Sequence, residues 1–223
     1  MSSSTPSRWR GVPAEARVAE RRRVLLDTAF DLLGTVGWSA TTVRGVCHAA
    51  RLNPRYFYES FADLDELLIA VYDRIVAEAG ATAAEAVEAA GDDPTSKARA
   101  GIGALLRFVV DDTRRVRILF VEAAGNERLN RRRLDVVYAA AAVVEAAGAQ
   151  LYGSPPAGER IGRITAHLLV GGATELLITW LDGKLDATLD ELVDDVTALF
   201  MATGERAAQI AAARNRPRSR ARA

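Results

Sequence analysis

Apolar residues recur along this chain at three- and four-residue intervals almost from end to end, and no useful stretch alternates apolar with polar. The pattern predicts an all-α fold. A first helix starts at Pro13 and carries Val18, Leu25, Ala29, Leu32, Leu33 and Val36 to a stop at Gly37, with Trp38 as a packing plug. Val43, Val46, Cys47 and Ala50 then stripe a two-turn helix whose first amides Thr41 or Thr42 can cap. Four residues on, Asn53 and Pro54, a good N-cap and a good first helical residue, open a second short helix on which Phe57 and Phe61 turn inward with Leu52. Two short helices joined in this way read as a helix-turn-helix.

Longer helices follow. Asp63 and Glu66 form a capping box for one striped by Leu64, Leu67, Leu68, Val71, Tyr72, Ile75 and Val76, and alanines carry it to about Ala90. At ~25 residues it spans ~38 Å. Gly91-Asp92-Asp93-Pro94 stops it. Helices are expected over 95–111, over 113–124 and, from an Asn126 cap, to about Leu151, where Tyr152-Gly153-Ser154-Pro155-Pro156 breaks the chain. Two last helices cover 157–182 and 188–213. The first of these is apolar over most of its circumference and needs cover on nearly all sides. Gly171-Gly172-Ala173 in its middle clears room for another helix.

The helix-turn-helix leaves Asn53, Pro54, Arg55, Tyr56 and Tyr58 facing outward, a polar, cationic and aromatic face. Such a face suits a DNA duplex. Helix-start amides attract phosphate, the Arg55 fork matches a guanine edge, and tyrosine hydroxyls reach phosphate while their rings pack on sugar or a thymine methyl.

Charge supports a polyanion at this end. The chain is neutral overall, but residues 1–61 hold nine arginines against five acids, a net of +4, while 62–213 hold fifteen basic residues against twenty-four acids, a net of −9. Arg214, Arg216, Arg218, Arg220 and Arg222 form a basic tail. One cysteine excludes an internal disulfide and fits a reducing cytosol; Cys47 lies on the inward stripe as a small hydrophobe. The opening Met1 to Ser7 has no signal-peptide core and no 18-residue apolar run occurs, so a cytoplasmic protein without a membrane span is expected.

Catalytic and metal chemistry find no constellation. His48 points about 100° away from Cys47 on its helix, so the two cannot act as nucleophile and base. With His48 and His167 far apart and no second cysteine, no metal-ligand spacing occurs, and neither a phosphate-cradling loop nor a serine elbow is present. No cofactor is called for, and the chain reads as a binding protein rather than an enzyme.

Ala40-Thr41-Thr42-Val43-Arg44, Ala49-Ala50, Phe57-Tyr58-Glu59-Ser60-Phe61 and Glu66-Leu67-Leu68 together resemble the N-terminal signature of TetR-family transcriptional regulators, over about residues 25–68. Two positions depart from it. Arg51 stands where the family has a turn glycine, at about 1–2 kcal/mol if left-handed, and Leu64 stands where it has a lysine on phosphate.

The resemblance implies a basic arm over 1–12, a homeodomain-like three-helix DNA-binding domain over 13–62, a helical effector-binding and dimerisation domain over 63–213 and a tail over 214–223. Arg55, Tyr56 and Asn53, with Pro54 setting the helix start, are expected to read bases. Thr42, Arg44 and Tyr58 are expected to hold phosphates, with Arg8, Arg10 and Arg22 as further phosphate candidates. It also implies a small-molecule pocket, with Phe108, Phe120, Tyr138, His167, Glu175 and Trp180 as candidate lining. The last two helices are the expected dimer interface, through Leu168, Gly171, Gly172, Leu176, Leu192, Val196 and Leu199. A homodimer of this kind sets two reading helices about 34–36 Å apart, or a multiple of that, on a palindromic double-stranded operator. The function expected is a repressor released by a small, largely apolar effector. The alternative is a regulator of the same fold with no effector, an activator or one controlled by a protein partner.

Overall fold

In the computed structural model, residues 14–122, 125–153 and 159–215 are described. The expected basic arm with Arg8 and Arg10, the Pro13 start, the break at Ser154 to Pro156, and Arg216, Arg218, Arg220 and Arg222 lie outside the described residues. Every regular element among the described residues is helical: α1 (Ala14–Thr35), a 3-10 turn (Trp38–Ala40), α2 (Val43–Ala49), α3 (Pro54–Tyr58), α4 (Leu64–Ala89), α5 (Pro94–Val110), α6 (Thr113–Val116), a π-helical turn (Arg117–Glu122), α7 (Glu127–Tyr152), α8 (Glu159–Leu181) and α9 (Leu189–Asn215).

The expected stops and caps act where the sequence puts them. Gly37, at φ 85°, closes α1 with its amide donating to the Leu32 carbonyl at 3.1 Å. Asp63 Oδ1 accepts from the Glu66 amide at 2.7 Å, and this bond holds the Asp63 carboxyl below the ordinary carboxylate range. The Glu66 side chain reaches back one residue further than a capping box requires, to the Ala62 amide at 2.6 Å. Asp93 caps α5 on the Ser96 amide and Asn126 caps α7 on the Leu129 amide.

One element departs from expectation. Residues 113–124 read as an α-helix, but after Val116 the turn widens to π geometry through Glu122. A π turn bonds residue i to i+5, and Arg117 and Glu122 are five apart. Arg117 Nε donates to Glu122 Oε1 at 2.8 Å and its Nη1 to the Thr35 carbonyl at 2.6 Å, while Glu122 Oε2 accepts from the Trp38 amide at 2.8 Å. Both side chains thus satisfy groups at the end of α1 and just past it. That pull across more than eighty residues is what periodicity could not register.

The chain divides into two compact units, residues 1–75 with 113–129, and residues 76–112 with 130–223. In the first, α1 packs against α2, α3, α6 and the π turn. Leu25, Ala29, Leu33, Val46, Phe57, Phe61, Leu67, Leu68, Val71, Ile75, Ile118 and Leu129 are all buried there. Cys47 is buried among them, which pushes its thiol pKa up, as a small hydrophobe's would be.

In the second unit α9 packs on α5 and on α8. Leu106 and Val109 of α5 and Leu192, Val193 and Val196 of α9 are buried, flanked by Arg99–Asp194 and Arg107–Asp190 ion pairs. This corrects the interface expected of Leu192 and Val196: both face inward onto their own chain, whereas Leu199 of the same helix is exposed. By length and composition alone α7 and α8 are apolar enough to cross a membrane, with mean hydropathy 1.4 over 18 residues, although Glu145 and Glu175 interrupt them. Only 6% and 11% of those windows is buried within the chain.

Candidate nucleic-acid interface

Capping side chains hold the two short helices of the first unit. Thr41 and Thr42 divide the work at the start of α2: the buried Thr41 hydroxyl donates to the Gly37 carbonyl at 2.7 Å, while Thr42 Oγ1 accepts from the Gly45 amide at 3.0 Å. Thr42 stays exposed, and its hydroxyl proton remains free to donate outward. Arg44 is exposed on the same helix.

α2 ends in a Schellman closure, with the Leu52 amide donating to the Cys47 carbonyl at 2.9 Å and the Arg51 amide to the His48 carbonyl at 3.1 Å. This closure needs a left-handed residue, and Arg51 takes it at φ 54°, the one non-glycine residue with positive φ among the described residues. The turn expected from the sequence therefore forms without its glycine.

Asn53 Oδ1 accepts from the Arg55 amide at 2.9 Å, and Pro54 fills the first position of α3. The oxygen half of the Asn53 amide is thereby committed to the cap, so its NH2 is the half that faces a partner. Below, Phe57 and Phe61 are buried against one another at 5.7 Å, as expected. Above, Tyr58 stays 62% exposed, its ring edge-on to Phe57 at 5.4 Å.

Arg55 is wide open to solvent, its side chain 82% exposed. Tyr56 is not. Expected to face outward, it is half-buried, the Arg21 guanidinium of α1 lying 4.3 Å from its ring centroid. Arg21 also pairs with Glu59 Oε2 at 3.1 Å, and Glu59 Oε1 accepts from Arg55 Nε at 3.2 Å. Glu59 four residues after Arg55 was readable as a helix pair. Arg21, thirty-eight residues away, was not.

Arg22 is likewise corrected as a free phosphate donor. Its guanidinium lies over Phe61 at 4.2 Å and donates to the Ser60 carbonyl at 3.1 Å, so it packs rather than projects. Arg23 pairs with Glu20 and Asp27 within α1.

The residues expected to line an effector pocket lie in both units. Phe120 belongs to the first unit, while Phe108, Tyr138, His167, Glu175 and Trp180 belong to the second. Trp180 Nε1 donates to the Ala187 carbonyl at 2.7 Å, tying down the α8–α9 connection instead of lining a cavity. Tyr138 and His167 face each other at 5.9 Å on exposed surface, and Glu175 is exposed. His167 lines an open surface depression of about 430 Å³ with Arg163, Ile164 and Leu168. Among the expected interface residues, Leu168, Gly172 and Leu199 are exposed, and Gly171 and Leu176 are partly covered.

Residues 25–71 match the sequence profile of the bacterial regulatory proteins of the tetR family. No curated protein is matched in sequence. The fold is similar to that of the fatty acid degradation regulator FadR from Bacillus halodurans, at 15% identity over 81% of this chain and 94% of that one, TM-score 0.66. A transcriptional regulator from Rhodococcus sp. Rha1 is similar at 18% identity over 83% and 96%, TM-score 0.64. A TetR family transcription regulator from Marinobacter aquaeolei VT8 is similar at 19% identity over 85% and 97%, TM-score 0.54.

Proposed function

We propose that this chain, whose residues 25–71 match the tetR family of bacterial regulatory proteins, is a DNA-binding transcriptional regulator of that family and, more finely, a cytoplasmic, homodimeric repressor. It grips a palindromic operator and is released by a small, largely apolar effector. The observation that carries the DNA reading is that Arg55 and Tyr58 of α3 and Thr42 and Arg44 at the start of α2 are all exposed on the two helices of the helix-turn-helix. Arg55 reads a guanine edge through its two free Nη groups; the Thr42 hydroxyl, Arg44 and Tyr58 hold phosphates. Asn53 adds a donor from its NH2, and Tyr56 supports the face from beneath Arg21.

The dimer is supported by what the second unit leaves uncovered. Val143, Ile164, Leu168 and Leu199 are exposed on α7, α8 and α9, and a methyl group built on Gly171 or Gly172 meets open space. A second copy of α8 and α9 laid there buries apolar surface that water otherwise covers. The effector step rests on the apolar bias of that unit, and fatty acids are a first probe because two similar structures are described as regulators of fatty acid degradation or metabolism. A second reading, a regulator of this fold with no effector, is favoured by one observation: Tyr138, His167 and Glu175, three of the residues expected to line a pocket, are exposed.

Selection of duplexes from a random-sequence library tests the proposal. The wild-type protein is expected to enrich one palindrome; Arg55→Ala then loses about 1–3 kcal/mol on it and relaxes specificity, whereas Arg44→Ala weakens all duplexes alike. Failure to enrich any sequence, or wild-type binding by both variants, defeats the assignment. Thermal shifts across fatty acids and other metabolites separate the effector reading from the second.

A further inference from the structure

An acid on a face meant for a polyanion needs a reason, and Glu59 is such an acid. Its carboxylate is shared between two cations: Oε2 takes Arg21 Nη2 at 3.1 Å and Oε1 takes Arg55 Nε at 3.2 Å. The two arginines differ sharply. Arg21 is held by packing, its side chain 19% exposed and its guanidinium over the Tyr56 ring, whereas the Arg55 side chain is 82% exposed and Glu59 is its ion-pair partner among the described residues. The geometry therefore runs in one direction, from α1 outward: Tyr56 and Arg21 fix Glu59, and Glu59 fixes Arg55.

The bond to Arg55 engages Nε and leaves both Nη groups free. Those are the donors that a planar fork presents to the O6 and N7 of guanine. An arginine left unsupported on a five-residue helix spreads over many rotamers and has to surrender that freedom on binding. We infer that Glu59, held by Arg21, is a positioning residue that aims Arg55 and so sets the stringency of base reading; this rests on the DNA reading proposed above. Its negative charge costs little general affinity because Arg21 already neutralises it. Removing Glu59 leaves the phosphate contacts in place and loosens the Arg55 contact, which distinguishes guanine from the other bases.

The test uses the full-length protein, the duplex enriched by wild type from a random library, and an unselected random-sequence duplex as the two probes. Discrimination is the ratio of the two affinities. Glu59→Ala is expected to lower it about tenfold while Arg55 is present and less than twofold in an Arg55→Ala background, since the two residues act as one unit. Affinity for the random duplex stays level or rises, because an acid has been removed from the face. Glu59→Gln, which keeps an oxygen for Arg55 Nε but loses the charge, falls between wild type and alanine, and carries the same comparison if the alanine protein folds poorly by circular dichroism. Unchanged discrimination, or an equal fall with and without Arg55, overturns the inference and leaves the DNA reading standing. A wild-type protein that enriches no sequence removes both.

Discussion

Phe57 and Leu168 are both large apolar side chains on helices, yet Phe57 is wholly shut off from solvent whereas Leu168 is 66% exposed. The contrast extends to the units that contain them. In the first, α1, α2, α3, the start of α4 and the π turn close over a core of Leu25, Leu33, Val46, Phe57, Phe61, Leu68 and Ile118. Its exposed apolar residues, such as Val36 and Val121, are single ones of the kind every soluble surface carries. In the second, Leu134, Tyr138, Val143, Leu151, Ile164, Leu168 and Leu199 are uncovered on three helices. A core that is complete within one chain can act as a reading head of fixed shape. A unit with this much apolar surface left open invites a partner surface, and the proposed occupant is a second copy of the chain.

Truncating Phe57 is the most severe way to probe the contrast. Phe57→Ala leaves a cavity between α1, α2 and α3 and is expected to cost about 3–5 kcal/mol, a large part of the 5–15 kcal/mol typical of a folded domain. Hydrogen exchange should report loss of protection over residues 14–75 with residues 130–215 still protected and the protein still self-associated. Equal loss of protection in both units means that they do not hold separate cores, and the comparison fails.

Charging the open face should do the reverse. Leu168→Glu with Leu199→Glu removes two side chains that are exposed in the single chain, so helicity and the first unit's stability stay unchanged. If a second copy covers them, each loses a burial worth about 2–3 kcal/mol, and sedimentation should find monomers where wild type sediments as a dimer. Affinity for the enriched palindrome falls at least about a hundredfold, because each half-site is then bound alone. A double variant that stays dimeric moves the interface elsewhere on the unit.

How legible all this was follows from the range over which each feature acts. α2, α3 and their caps are local: Thr42, Asn53, Pro54 and the spacing of Phe57 and Phe61 determine them, and all were readable. The all-helical fold and the ends of most helices followed from periodicity and from Gly37, Asp63, Asp93 and Asn126 in the same way. Arg21 over Tyr56, Arg22 over Phe61 and the Arg117–Glu122 pair depend on residues brought together from thirty-five or more positions apart, or on a π turn that no spacing rule anticipates. Leu192 and Val196 were read as interface because a stripe reveals which face of a helix is apolar and not whether its own chain or another covers it.

Arg51 supplies the gentlest probe, since it acts on the backbone of the turn and leaves both cores alone. At φ 54° a side chain costs about 1–2 kcal/mol, and part of that is regained by glycine's greater freedom in the unfolded chain. Arg51→Gly should therefore stabilise the first unit by about 0.5–1 kcal/mol and raise its melting midpoint by a few degrees, with the second unit's transition unmoved. Arg51 is exposed and makes no ion pair among the described residues, so the same variant also reads its part in binding. If its guanidinium meets a phosphate, the slope of log affinity against log salt falls by about 1 and discrimination between duplexes is untouched. A slope that does not change assigns Arg51 to neither task, and a midpoint that falls shows that the side chain stabilises the turn by more than its strained backbone costs.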